Sequence, residues 1–258
     1  MPPEELEKFL DELIEKHSAA ILSAIAIVEA RAITQLDTIE VRQDGNIVGP
    51  SKALPQAKAA SKAIQQDLSG RMQLKYNSAI RDLSKIDRAI RHIYGQRINN
   101  TNANALIAAS KTVFDDYNSI TLDTSNRLNK AIIDYSVAGL SREELKTQVR
   151  GILTGDDDVR GVPMNVRAEQ FTQDSIMRYH NRANMLVADQ AGIKKFKYYG
   201  NVMATTRPFC AGHAGDVKTR DEWEQIGQNQ TWKGKSSSNI FVDTGGYNCR
   251  HFLTPYFD

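Results

Sequence analysis

Residues 3–16 read PEELEKFLDELIEK, and the spacing inside them sets the fold. Leu6, Phe9, Leu10, Leu13 and Ile14 fall at i, i+3, i+4, i+7 and i+8, one stripe of an amphipathic helix. The stripe continues through Ile21, Ile25, Val28 and Ile33. It predicts a first helix of roughly 30 residues, about 45 Å long at the α-helical rise. Outward from it the same periodicity predicts helices over 54–94, 104–137 and 166–191, with Gly70 as an interruption of the second and Gly192 as the stop of the last. Residues 43–50 hold two glycines and end in Pro50, so they read as a turn or short hairpin arm. Asn99–Asn102 is a polar break. Ser141-Arg142-Glu143-Glu144 has capping-box spacing, with a short helix to follow. Asp156, Asp157 and Asp158 invite calcium, but the EF-hand pattern and its closing glutamate are absent.

Composition divides the chain near residue 190. Residues 1–190 carry 24 basic and 25 acidic residues; residues 191–258 carry 9 and 6. Eight of the 16 glycines lie between Gly192 and Gly246, and the last quarter holds both tryptophans and both cysteines. The expected fold is therefore mainly α: an elongated long-helix region over 1–190, suited to partner binding, and a small glycine-rich α+β module over 191–258. In that module residues 193–201 suit a strand, Thr219 and Glu222 suit a capping box, and 240–243 suit a second strand. A net charge of +2 does not indicate a strongly electrostatic nucleic-acid binder. No apolar run reaches about 18 residues, so no membrane-spanning helix is expected. The acidic N-terminus lacks the pattern of a signal peptide. Two cysteines make no disulfide scaffold, and folding in a reducing cytosol is expected.

The block Thr206-Arg207-Pro208-Phe209-Cys210-x-x-His213-x-Gly215 is followed by Gly245-Gly246-Tyr247-Asn248-Cys249-Arg250-His251. This pair resembles the C-terminal signature of phage minor head proteins, the Mu F-like head morphogenesis proteins of tailed bacteriophages. Tyr179–Ala183, Ala191–Ile193 and Phe196-x-Tyr198-x-Gly200 resemble the segment before that signature, so the likeness covers 175–258. Many members carry a second cysteine where this chain has His251. The resemblance implies a structural, non-enzymatic virion protein, present in several copies. It would be made in the host cytoplasm and would reside in the phage head. Its implied partners are the portal protein or the major capsid protein, together with packaged DNA, and no membrane. Its implied role is in head assembly and in genome packaging or ejection.

The residues themselves leave several chemistries open. Cys210, His213, Cys249 and His251 match the donor set of a tetrahedral structural zinc site. A strand through 249–251 would put Cys249 and His251 on one side. The same four residues also suit a buried cluster of thiols and hydrogen-bonding imidazoles. A Cys210–Cys249 disulfide requires Cα atoms within about 7 Å. A thiolate–imidazole pair, with amides of Gly245 and Gly246 as an oxyanion site, or a metal with an open, water-bearing position, would make a thiol- or metal-dependent hydrolase active during genome entry. Gly245 and Gly246 are better explained as a turn needing positive φ. Arg207 and Arg250 can each grip a carboxylate or carbonyl, and read equally as internal fasteners or as phosphate contacts. Lys194, Lys195 and Lys197 beside Tyr198 and Tyr199 carry the alternative of a DNA-binding virion protein, or else protect a strand edge.

Overall fold

The structure, a computed structural model, describes residues 2–95, 99–155, 161–235 and 237–257. The aspartate loop weighed above for calcium lies outside the described residues. Seven helices and three strands appear among the described residues. In chain order they are α1 (Pro3–Leu36), α2 (Pro50–Tyr94), α3 (Asn100–Ala138), α4 (Arg142–Leu153), α5 (Met164–Gln190), β1 (Lys195–Tyr199), α6 (Pro208–His213), β2 (Val217–Thr219), α7 (Arg220–Asn229) and β3 (Phe252–Pro255). The fold is thus mainly α, with long helices and a small antiparallel sheet near the C-terminus.

Helix α2 shows how the sequence holds a long helix together. Its buried residues Ala53, Ala57, Ala60, Ile64, Leu68, Met72, Tyr76, Ala79, Leu83, Ile86 and Ile90 recur at intervals of three and four. The stripe runs unbroken past Gly70, so the expected interruption does not occur. Pro55 is accommodated inside the helix as well. Both residues lose local helix stability, and the buried stripe on either side outweighs it. In α1 an 18-residue window reaches a mean hydropathy of 1.5, long and apolar enough to cross a membrane, with a third of it buried. Ser23, Glu29 and Arg31 stand among the apolar residues of α1, so the helix carries no unbroken apolar run of that length. Its buried residues Ile21, Ala24, Ile25, Val28, Ala32 and Leu36 lie on a single stripe.

Two compact units emerge, and they cut across the division expected at residue 190. One comprises 1–16, 79–113 and 170–258; the other comprises 17–78 and 114–169. Composition follows chain order, whereas compactness follows which helix ends pack together, so long helices contribute to both units. The second unit is a helical assembly. Tyr76 stacks on Tyr117 with centroids 4.2 Å apart, and the Tyr76 hydroxyl meets Thr121 Oγ1 at 2.9 Å. Ser61 donates to Asn129 Oδ1 at 2.8 Å. Ser141 caps α4 by accepting the Glu144 amide at 3.4 Å.

In the first unit, Leu6, Leu10, Leu13 and Ile14 of α1 join Leu83, Ile86 and Ile90 of α2, Leu106 of α3, and Ile176, Ala183 and Val187 of α5. A second cluster is built on the sheet, from Phe196, Tyr198, Cys210, Trp223, Ile240, Phe241, Cys249 and Leu253 with Met185 and Ala188. The strand order is β2-β1-β3, with both pairings antiparallel. Phe196 pairs with Lys218 and Pro255, and Tyr198 pairs with Leu253. Phe196 and Tyr198 are buried and alternate with half-buried Lys195, Lys197 and Tyr199, as a period of two requires. Because β1 is central, its lysines do not guard an edge. Residues 240–243 form a turn instead of the expected strand. The Asn239 side chain accepts the Phe241 amide at 3.1 Å, and its carbonyl accepts the amides of Val242 and Asp243 at 3.0 Å each. Asparagine offers the backbone this local alternative to a ladder.

Candidate metal centre

Two short segments carry the centre. Pro208 opens α6, a single turn that places Cys210 in the core. The other segment, 242–253, has little regular structure of its own, and α5 supplies its hydrogen bonds. Asp174 accepts the Asn248 amide at 2.5 Å, Arg178 donates to Asp243 at 2.6 Å, Asn181 donates to the Val242 carbonyl at 3.0 Å, and Asn184 donates to the Leu253 carbonyl at 2.6 Å. These four residues recur every three or four positions, so one polar stripe of a helix positions the whole return segment. Across from it, Arg207 donates to the carbonyls of Gly245 at 3.1 Å and Tyr247 at 2.6 Å, and its guanidinium lies 4.9 Å over the Tyr247 ring. Arg250 reaches Gln173 Oε1 at 3.3 Å and Asp11 at 3.0 Å.

Cys210, Cys249 and His251 converge. Their donor atoms all lie within 4.8 Å of one another, and the three residues can hold a metal ion. The sulfurs are 3.9 Å apart, and Cys249 Sγ is 3.6 Å from His251 Nδ1. Both cysteines are free and buried. A tetrahedral ion with bonds of about 2.3 Å to sulfur and 2.0–2.1 Å to nitrogen has edges of about 3.8 Å between sulfurs and about 3.6 Å between sulfur and nitrogen. The Cys210–Cys249 and Cys249–His251 spacings fit that figure, and the Cys210–His251 edge lies within 4.8 Å. They are far longer than the roughly 2.0 Å of a disulfide bond.

The surroundings are shaped around these three atoms. A Cβ on Gly245 would overlap Cys249 Sγ and come within 2.6 Å of Cys210 Sγ, so no side chain fits there. The two glycines differ in kind, because only Gly246 has positive φ, at +85°. Gly200 lets the His251 ring approach: a Cβ there would stand 2.5 Å from its Cδ2. The His251 amide donates to Cys249 Sγ at 3.4 Å. Among the described residues, the buried Tyr198 hydroxyl has no partner apart from the Cys210 sulfur. The Cys249 hydrogen bond draws the Cys210 thiol down against the effect of burial, with Tyr198, Arg207 and His213 assisting. That same bond and burial push the Cys249 thiol up, so the pair gives up one proton readily and holds the second. Burial, then the Arg207 charge, lowers His251 and keeps its ring neutral, as a metal ligand must be; the Asn201 backbone acts the other way. Nδ1 faces the sulfurs, and the buried Nε2 points away from them without a hydrogen-bond partner among the described residues.

His213, the fourth residue of the expected set, stands apart. Its Nδ1 is 3.0 Å from Asp216 Oδ2, and its Nε2 is 3.4 Å from Gln230 Oε1. The Tyr198 ring packs against both His213 and His251, with centroids 6.1 and 5.6 Å away. Cys-x-x-His spacing places two side chains on one helical turn, but Asp216 and Gln230 draw this imidazole elsewhere. The expected strand at 249–251 is also absent, since β3 begins at Phe252. Local bonding to Cys249 Sγ, not strand alternation, brings His251 in. Of the residues considered for DNA, Tyr198 is buried and so offers no face for a base.

A cleft of about 550 Å³ opens onto the three donors. Its walls include Glu7 and Asp11 of α1, Asn201, Thr206, Arg207, Asn248 and Arg250. Glu7 accepts the Asn201 amide at 3.2 Å and its side-chain amide at 3.1 Å. Burial raises the carboxyls of both Glu7 and Asp11. Neither acid was singled out in the sequence, because nothing local links residues 7 and 11 to a segment more than 190 positions away. The α5 stripe was also missed, although its three-and-four spacing was there to be read.

These features define a small α+β module with a two-cysteine, one-histidine centre at the floor of a cleft. No protein-family profile matches the chain, and no curated protein or solved structure matches it.

Proposed function

We propose that the chain is a minor head protein of a tailed bacteriophage, a structural virion component acting between portal protein, major capsid protein and packaged DNA. In this reading its C-terminal module is clasped by zinc on Cys210, Cys249 and His251. One observation carries it: the two blocks of the signature, far apart in sequence, supply the donors of one centre, Cys210 from the first and Cys249 and His251 from the second. The signature is then the record of a folded clasp. Zinc suits two thiolates and an imidazole at tetrahedral spacing. A reducing host cytoplasm keeps the thiols available during assembly. Partner contacts fall to the helices, where Leu74, Ile107 and Leu122 stand exposed among polar neighbours.

The test is the composition and asymmetric reconstruction of purified heads of the phage that encodes the chain. The expected result is the protein in the particle, with density beside the portal or the inner capsid wall. Its absence from every particle would overturn the assignment. A second reading, a metal-dependent hydrolase acting during genome entry, draws on the cleft over the three donors. It would lead if the protein were found only free in the infected cell.

A further inference from the structure

We infer that the metal on Cys210, Cys249 and His251 keeps its fourth coordination position open to the cleft, where water at rest exchanges for a small monodentate anion. The inference rests on the zinc-clasp reading and goes beyond it: the three residues clasp the module, and where most structural zinc sites add a fourth protein ligand this one leaves that position to solvent.

The donor count comes first. Among the described residues, three side chains converge and no fourth joins them. Both ring nitrogens of His213 are taken, by Asp216 and Gln230, and ligation through either would give up its contact. The nearby carboxylates are also committed: Glu7 to Asn201, and Asp11 to Arg250. The Tyr198 hydroxyl serves Cys210 as a neighbour.

Access comes second. Gly245 lies against both sulfurs and is not part of the cleft wall. Cys210, Cys249 and His251 do line the cleft, so the unfilled side of the tetrahedron faces it. A volume of about 550 Å³ admits a small ligand with its hydration.

Charge comes third. Two thiolates neutralise a divalent ion, and the neutral imidazole adds nothing. On the cleft wall Asp11 pairs with Arg250, Glu7 is held by Asn201, and Arg207 donates to the Gly245 and Tyr247 carbonyls, so acids and arginines balance there. A metal cation with an open position itself draws an anion rather than a second cation, and an anion that binds through one atom fits a single position. Exchange needs no redox partner: one metal–oxygen bond to water breaks and one bond to the anion forms.

The experiment uses full-length protein loaded with cobalt(II) in place of zinc and titrated with sodium azide. Visible ligand-field bands and near-ultraviolet thiolate charge transfer report the coordination shell. The expected result is a saturable shift of the visible bands with azide, beyond that given by equal perchlorate, with His213→Ala unchanged in spectrum and response. No response beyond perchlorate, or a spectrum altered by His213→Ala, would show a closed fourth position and overturn the inference while leaving the clasp intact. Failure to bind cobalt, with no thiolate charge transfer, would overturn the clasp reading itself. Cys249→Ser should abolish the charge-transfer pattern of the two-thiolate centre; an unaltered pattern would likewise remove the assignment.

Discussion

The unit formed by 17–78 and 114–169 and the module around β1 keep their interiors in different ways. The first packs aliphatic and alanine stripes, repeated every three or four residues, and its polar contacts are local to helices or join their sides. The second buries a segment with little regular structure. That segment depends on Asp174, Arg178, Asn181, Asn184 and Arg207 for hydrogen bonds, and on two glycines for room. A stripe tolerates exchange of one apolar residue for another of similar volume. A buried polar segment does not, because each lost partner leaves a desolvated group behind. The two regions should therefore fail differently.

The largest expected effect lies in the module. On the proposed zinc clasp, removing the metal with a chelator, or changing Cys210→Ser, Cys249→Ser or His251→Ala, should abolish stoichiometric zinc by elemental analysis. Metal binding in such sites is worth on the order of 10 kcal/mol of folding free energy. The near-ultraviolet circular dichroism of Trp223 and Tyr198 should collapse while most far-ultraviolet helical signal remains. His213→Ala should keep the metal. Unchanged melting after metal removal would erase the contrast between the two regions.

Leu68→Ala tests the other side. Leu68 is fully buried in the stripe of α2, and a cavity there should cost about 2–5 kcal/mol. Denaturant unfolding followed by helical signal should show the loss, with zinc stoichiometry unchanged. A Leu68→Ala protein that lost its metal would show that the two regions do not fail separately.

Legibility in the sequence follows the same contrast. The helices were readable almost to their ends, because a buried stripe writes its period into the chain. The α7 cap was readable too, since Thr219 and Glu222 act within one turn. His251 and His213 were not distinguishable by spacing. What separates them is tertiary: Asp216 and Gln230 claim one ring, and Gly200 makes space for the other. The strand expected over 240–243 failed for a local reason, the Asn239 side chain, which competes with ladder bonding. Glu7 and Asp11 could not be placed in the cleft without knowing that the start of α1 packs with the C-terminal segment.

His180 sharpens the comparison through pH. It is fully buried on α5, packed edge-on against Phe252 at 5.0 Å, and burial lowers its pKa from 6.5 to about 4. The unfolded chain therefore binds a proton that the folded chain refuses between those values. Stability is full above about pH 6.5 and falls as the pH drops toward 4, by up to about 3 kcal/mol in all. His180→Phe should flatten this limb in urea titrations run across that range. His251 shifts in the same direction, so the difference between wild type and variant isolates the His180 share. An identical slope in both proteins would assign the acid limb elsewhere.

Thr219→Ala should give the smallest effect, about 1 kcal/mol for a lost N-cap. Thr219 Oγ1 accepts the Glu222 amide at 3.4 Å, and the Glu222 carboxylate accepts the Thr219 amide and hydroxyl at 2.7 Å each. Those bonds, the hydroxyl first, hold the Glu222 carboxyl below its ordinary value. The stabilisation is present above pH 4.5 and fades as the pH falls through the lowered pKa, so the cost of Thr219→Ala should shrink in acid. Thr219→Ser should restore most of it. The cap steadies α7, whose Trp223 donates to the Phe196 carbonyl at 3.0 Å and packs 5.6 Å from Tyr198, the residue beside the Cys210 sulfur. If the centre is fixed by its own ligands and by α5, zinc affinity in Thr219→Ala will equal that of wild type. A fall in affinity alongside the loss of stability would mean that the module's regular elements, and not only its polar clasp, set the geometry of the metal site.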